Sequence, residues 1–82
     1  MYRILTEDKN RELVYKILND HVEGYTLTES IGIWKGVQEK SIALDFIGTD
    51  YATVRYVAEH IKTWNGQEAV LILTIATEHE FI

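Results

Sequence analysis

The chain has 82 residues, 46% of them hydrophobic and 26% charged, with a formal net charge of −5, no cysteine and no proline. A chain this short holds one core and buries only about 60–65% of its extended-chain surface, so one domain, 1–82, of modest stability is expected, and it would gain from self-association. The acidic balance weighs against partners bound through neutralised phosphates, which excludes generic nucleic-acid or anionic-membrane binding, and the lack of cysteine excludes disulfides and thiolate zinc sites.

Met1-Tyr2-Arg3-Ile4-Leu5 runs directly into charged residues, with no apolar stretch long enough for a leader or a membrane span, so a cytoplasmic protein is expected. Tyr2 to Leu5 reads as a short strand, and Thr6 or Asp8 is suited to cap the helix that follows. Leu13, Val14, Ile17, Leu18 and His21 form the apolar stripe of that helix, which Gly24 stops. From Tyr25 to Trp34 the pattern alternates. Tyr25, Leu27, Ile31 and Ile33 share one face, and Thr26, Thr28, Ser30 and Gly32 the other, as in a strand buried on one side.

With Lys35-Gly36-Val37-Gln38 as the loop, the next strand places Trp34 opposite Glu39, Ile31 opposite Ile42 and Leu27 opposite Phe46. Gly48-Thr49-Asp50 supplies a turn and a cap for a second helix striped by Val54, Val57, Ala58, Ile61 and Trp64 and closed by Asn65-Gly66. Ala69 to Thr77 reads as a strand apolar on both sides, with Leu71, Leu73 and Ile75 on one face and Val70 and Ile72 on the other. The tail from Glu78 to Ile82 has no clear assignment.

This β-α-β-β-α-β order predicts an α+β, ferredoxin-like sandwich: a four-stranded antiparallel sheet with two helices on one face. The other face is expected to carry Ile4 or Leu5, Thr28, Ser30, Gly32, Trp34, Ala43, Asp45, Ile47, Val70 and Ile72. That mixture is too apolar for water alone, and it predicts a partner subunit or ligand over part of the face, with the tail residues Phe81 and Ile82 packing on a neighbouring subunit.

Glu29 is the anomaly, because the alternation puts it between Leu27 and Ile31 on the apolar side, opposite Leu44, where an unpaired carboxylate is costly. Either a bulge or strand end turns it to water or toward a helix-borne Lys or Arg, or it is a functional carboxylate with a raised pKa. Thr28 and Asp45 read as cross-strand neighbours, with Ser30 and Ser41 close by, which is either a polar patch for a ligand or an ordinary solvated strand face. His21, His60 and His79 lack metal-ligand spacing, so no metal is expected. Nor does any Gly-rich phosphate loop or activated nucleophile stand out, and no cofactor or catalytic residue is predicted. Trp64 belongs to a core stripe, while Trp34 sits at the hairpin end as a contact residue.

Gly32-Ile33-Trp34, the run Lys40 to Ile47, and Gly66-Gln67-Glu68-Ala69-Val70-Leu71 together resemble a family of small bacterial proteins of uncharacterised function with the same ferredoxin-like order. More distantly the layout is similar to the nitrogen regulatory protein PII and the CutA proteins, which form trimers and, in PII, bind nucleotides in clefts between subunits. The chain lacks PII's long loop and its basic phosphate-contacting residues. These readings together lead to an expected homo-oligomer, dimer or trimer, acting as a small-ligand-binding or regulatory module without catalysis. Its ligand or interface would lie at Thr28, Glu29, Ser30, Trp34 and Asp45. Two alternatives stand beside it: a protein inhibitor or adaptor using the open sheet face, and a small dimeric enzyme using Glu29 with Asp45 or His60 as acid and base.

Overall fold

Leu13 to Leu18 and Val54 to Ile61 carry their apolar side chains at helical spacing, and the segments between them alternate, which yields six elements in a computed structural model that describes residues 1–76 and 80. They are β1 (Tyr2–Glu7), α1 (Arg11–His21), β2 (Thr26–Trp34), β3 (Val37–Phe46), α2 (Tyr51–Trp64) and β4 (Leu71–Thr74). Thr77 at the end of the expected last strand, His79, and the tail residues Phe81 and Ile82 lie outside the described residues. Among the described residues no helix is long and apolar enough to cross a membrane.

The strands form one antiparallel sheet in the order β2-β3-β1-β4, so the fold is α+β with two helices and an open four-stranded sheet. Each helical crossover skips a strand: α1 joins β1 to β2 across β3, and α2 joins β3 to β4 across β1. Ile4, Ile42, Leu44 and Phe46 share one sheet face, because Ile4 stands opposite Leu44. They form a single core with Val14, Ile17 and Leu18 of α1 and Val54, Val57, Ala58 and Ile61 of α2. Each fully buried aliphatic or Phe side chain contributes roughly 1.5–3 kcal/mol, so this cluster is the main source of stability.

Asp50 caps α2 as expected, accepting hydrogen bonds from the Thr53 backbone N–H at 3.4 Å and the Thr53 hydroxyl at 2.6 Å. These bonds hold its carboxyl below the ordinary range. The start of α1 differs from expectation. Neither Thr6 nor Asp8 caps it; the N-cap is Asn10, in the left-handed region at φ 52° with no side-chain cap bond. Asp8 is engaged instead by Arg11, whose Nε and Nη2 donate to its two oxygens at 2.8 and 2.6 Å, holding that carboxyl low as well.

Thr6 remains in β1, which runs two residues beyond Leu5, and is buried in a polar network with Asn65 and Gln67. Gln67 Nε2 donates to Thr6 Oγ1 at 2.7 Å, and Asn65 Nδ2 donates to Gln67 Oε1 at 3.1 Å and to the Lys9 carbonyl at 3.0 Å. The network ties the end of β1, the approach to α1 and the exit from α2 into one corner.

The β2–β3 hairpin turns through two residues rather than four. Lys35 and Gly36 both have positive φ, 51° and 77°, as a type I′ turn requires, and that turn matches the right-handed twist of paired strands. Trp34 therefore stands opposite Val37, Ile31 opposite Lys40, Glu29 opposite Ile42 and Leu27 opposite Leu44. The register is displaced by two residues from the sequence expectation. Because side chains alternate with period two, every residue keeps its face while every cross-strand partner changes.

Two further expectations are corrected. β4 has the opposite phase, with Ile72 opposite Ile4 and Leu71 opposite Leu5, so Val70 and Ile72 pack toward the core and Leu71 and Leu73 face the open side. A strand apolar on both sides carries no parity signal. Trp64 is not core: it lies 56% exposed at the end of the α2 stripe.

Candidate functional site

The open sheet face is built in rows across the strands. The first runs Thr26, Asp45, Arg3, Leu73; the second Thr28, Ala43, Leu5, Leu71; the third Ser30, Ser41, Glu7. In the first row Arg3 binds Asp45 by two donors, Nε at 2.5 Å and Nη2 at 3.1 Å. Beyond the third row β1 has ended, and the hairpin continues alone with Gly32 opposite Glu39 and Trp34 opposite Val37.

That overshoot opens a groove of about 330 Å³ between the hairpin and the segment joining α2 to β4. Leu5, Gly32 and Ser41 line it from the strands, Trp34 from the hairpin end, and Ala69 and Leu71 from the far side. Glu7, Glu39 and Glu68 also line it. Ser41 is oriented by donating from Oγ to the Thr6 carbonyl at 3.0 Å.

The electrostatics of the groove are set by its carboxylates. Glu7, which can share the Glu39 proton and repels its negative charge, pushes the Glu39 carboxyl above the ordinary range, with desolvation acting in the same direction. At the mouth Lys35 Nζ lies 3.3 Å from Glu68 Oε1 and 5.9 Å from the centre of the Trp34 ring. The protein thus already holds one of its own cations beside an aromatic face and a carboxylate.

The residues singled out from the sequence are dispersed. Trp34 lines the groove and Ser30 lies in the row beside it. Thr28 stands opposite Ala43, not Asp45, and Asp45 is taken by Arg3. Glu29 is on the opposite side of the sheet, its side chain 74% exposed, and accepts from Arg11 Nη2 at 3.1 Å. This is the arrangement in which the carboxylate meets a helix-borne Arg. Glu29, Asp45 and His60 lie on three different surfaces, so the groups an acid–base pair would need are not brought together.

On the helical layer His21, Tyr56, His60 and Trp64 form a row with neighbouring ring centres 4.8, 4.1 and 5.7 Å apart. His60 Nδ1 lies 3.0 Å from the Tyr56 carbonyl. Among the described residues no group of three or more His, Cys, Asp or Glu side chains is placed to hold a metal.

Sequence reasoning missed Glu7, Glu39 and Glu68. The sequence pattern leaves Glu7 outside β1 and pairs Glu39 with Trp34. The odd parity that Glu39 shares with Ser41, Ala43 and Asp45 was the available signal. Glu68, which lies in no strand, gave none.

Comparison with models of known protein families and with curated proteins finds no match to this chain. What the structure carries of the family resemblance is a small α+β fold with a four-stranded antiparallel sheet.

Proposed function

We propose that this protein is a non-catalytic binding module whose occupant combines an apolar body with a positive charge. One observation carries the reading: an apolar groove lined by Trp34, Leu5 and Leu71 is also lined by the carboxylates of Glu7 and Glu39, and Glu7 raises the Glu39 carboxyl chiefly through their hydrogen bond and also through its negative charge. A cation there relieves the repulsion, and the apolar walls reward the rest of the ligand at about 25 cal/mol per Å² removed from water. Lys35 beside Trp34 and Glu68 shows the same chemistry at the mouth.

In this reading the layout is ferredoxin-like, since both crossovers skip a strand as in a split β-α-β arrangement. The two-residue turn at Lys35-Gly36 stands where PII would need its long loop, which supports a ligand other than the nucleotide that PII binds.

The test is a fluorescence titration in a Trp64→Phe background, where Trp34 is the single tryptophan. Phenethylamine is expected to shift the emission with an affinity on the order of millimolar, as suits so small a probe, whereas phenylacetate is not. Glu7→Gln with Glu39→Gln should abolish the preference. An equal response to both probes, or none to either, refutes the reading.

A further inference from the structure

β2 is an edge of the sheet, nine residues long, with no proline, no lysine and a single charge, Glu29. Natural edges usually carry several devices against pairing, and β2 has one, the charge of Glu29 on the core side near its middle. Its far half is also uncovered: Ile31 is 66% exposed and Ile33 74%. Both point to the side where the core lies, but beyond the reach of the helices.

The backbone phase follows from the turn. Trp34 and Val37 close a two-residue hairpin as a pair that exchanges both hydrogen bonds, so Gly32, Ser30 and Thr28 also direct their N–H and C=O groups to β3. Glu29, Ile31 and Ile33 therefore direct theirs outward from the edge.

We propose that a second copy of this chain pairs with that edge, β2 antiparallel to β2, about a two-fold axis at Gly32. In this register Ile31 of each copy stands opposite Ile33 of the other, so exposed apolar groups meet, and Glu29 falls level with the other copy's Lys35, the first turn residue beyond the strand. The Ile31–Ile33 pairs lie at outward-directed positions, and Lys35 reaches Glu29 from the turn. Shifting the register by one axis position, to Ile31, sets Glu29 against Ile33 and leaves the charges unmatched.

Gly32 at the axis occupies a non-hydrogen-bonded pair, where opposed α-carbons come closest and the lack of a β-carbon helps. Lys35 is available for this pairing because its contact with Glu68 is exposed and weak, and Glu29, which also accepts from Arg11, keeps most of its side chain exposed. On the open face Trp34 then stands opposite the other copy's Ser30, which prolongs the groove into its neighbour. The inference rests on β2 and the turn residue Lys35, and not on the ligand proposed for the groove.

Sedimentation velocity of the full chain, from micromolar to sub-millimolar concentration, is expected to show a monomer–dimer equilibrium, with the amides of Glu29, Ile31 and Ile33 gaining protection from hydrogen exchange as the dimer forms. Glu29→Lys or Lys35→Glu alone should weaken association roughly tenfold, since each places two like-charge pairs across the axis, and the two together should restore it. Ile33→Asp, at an exposed position, should leave a folded monomer. A monomer at every concentration, a dimer that survives Ile33→Asp, or no rescue by the double charge exchange each overturns the proposal.

Discussion

The two ends of the β2–β3 hairpin have similar composition and opposite fates. Near its base Leu27, Leu44 and Phe46 lie under α1 and α2, where Leu44 and Phe46 are completely buried. Near its tip Ile31, Ile33, Trp34 and Val37 are as apolar, yet more than half of each is exposed. The tip outruns β1, and α1 and α2 cover only the sheet that β1 anchors. The radius of gyration, 12.7 Å, exceeds the ~11.7 Å of a compact chain of this length, as a projecting hairpin requires. Apolar character therefore marks stability at one end and a free surface at the other.

Substituting across that divide gives the largest contrast. Phe46→Ala is expected to cost about 3–5 kcal/mol in urea unfolding, a large share of what so small a domain has, whereas Ile33→Ala at the tip should cost under about 1 kcal/mol in the monomer. Similar losses at both positions would mean that the tip is packed.

The polar corner beneath the groove comes next. Thr6→Val strands a buried Gln67 amide and should cost about 1–3 kcal/mol, part of which the double variant with Gln67→Leu recovers. No recovery would mean that the loss comes from packing alone.

Gly36→Ala forces a β-carbon into the left-handed region at φ 77° and should cost about 1 kcal/mol, the cost falling on the tip rather than the core. Two-dimensional NMR is expected to show its shift changes confined to residues near the turn.

The smallest effect separates the groove from the Asp8–Arg11 pair at the start of α1. The folded state holds the Glu39 proton more tightly than the unfolded chain does. Stability from this residue is thus lost as pH rises from the ordinary carboxylate range through the raised value. Glu39→Gln should accordingly raise the melting temperature slightly at neutral pH and leave it unchanged in acid. Asp8 has the opposite sign, because its lowered carboxyl contributes stability above the ordinary range that is lost as pH falls. A Glu39→Gln gain that persists in acid would break the assignment.

Much of the fold was legible because local rules and the final structure agree. The stripes Leu13 to Leu18 and Val54 to Ile61 needed only helical periodicity, and Asp50 needed only a cap position followed by a helix. Of the residues that line the candidate groove, the sequence pattern singled out Trp34. A turn two residues longer would pair Thr28 with Asp45, and alternation cannot distinguish the two registers because a two-residue slip leaves both faces intact.

The sequence by itself determined the order of the elements, the core positions of α1, of α2 as far as Ile61 and of β3, and the alternation of β2, because those depend on spacing along one segment. Tertiary structure decided the rest. The hairpin register came from the positive φ of Lys35 and Gly36, and the phase of β4 from pairing with β1, since a strand apolar on both sides does not say which side is inside. Whether Ile31 and Ile33 were covered depended on how far the helices reach, and whether Glu7 met Glu39 depended on strands distant in sequence lying side by side. Spacing along one strand carries no information about its neighbour.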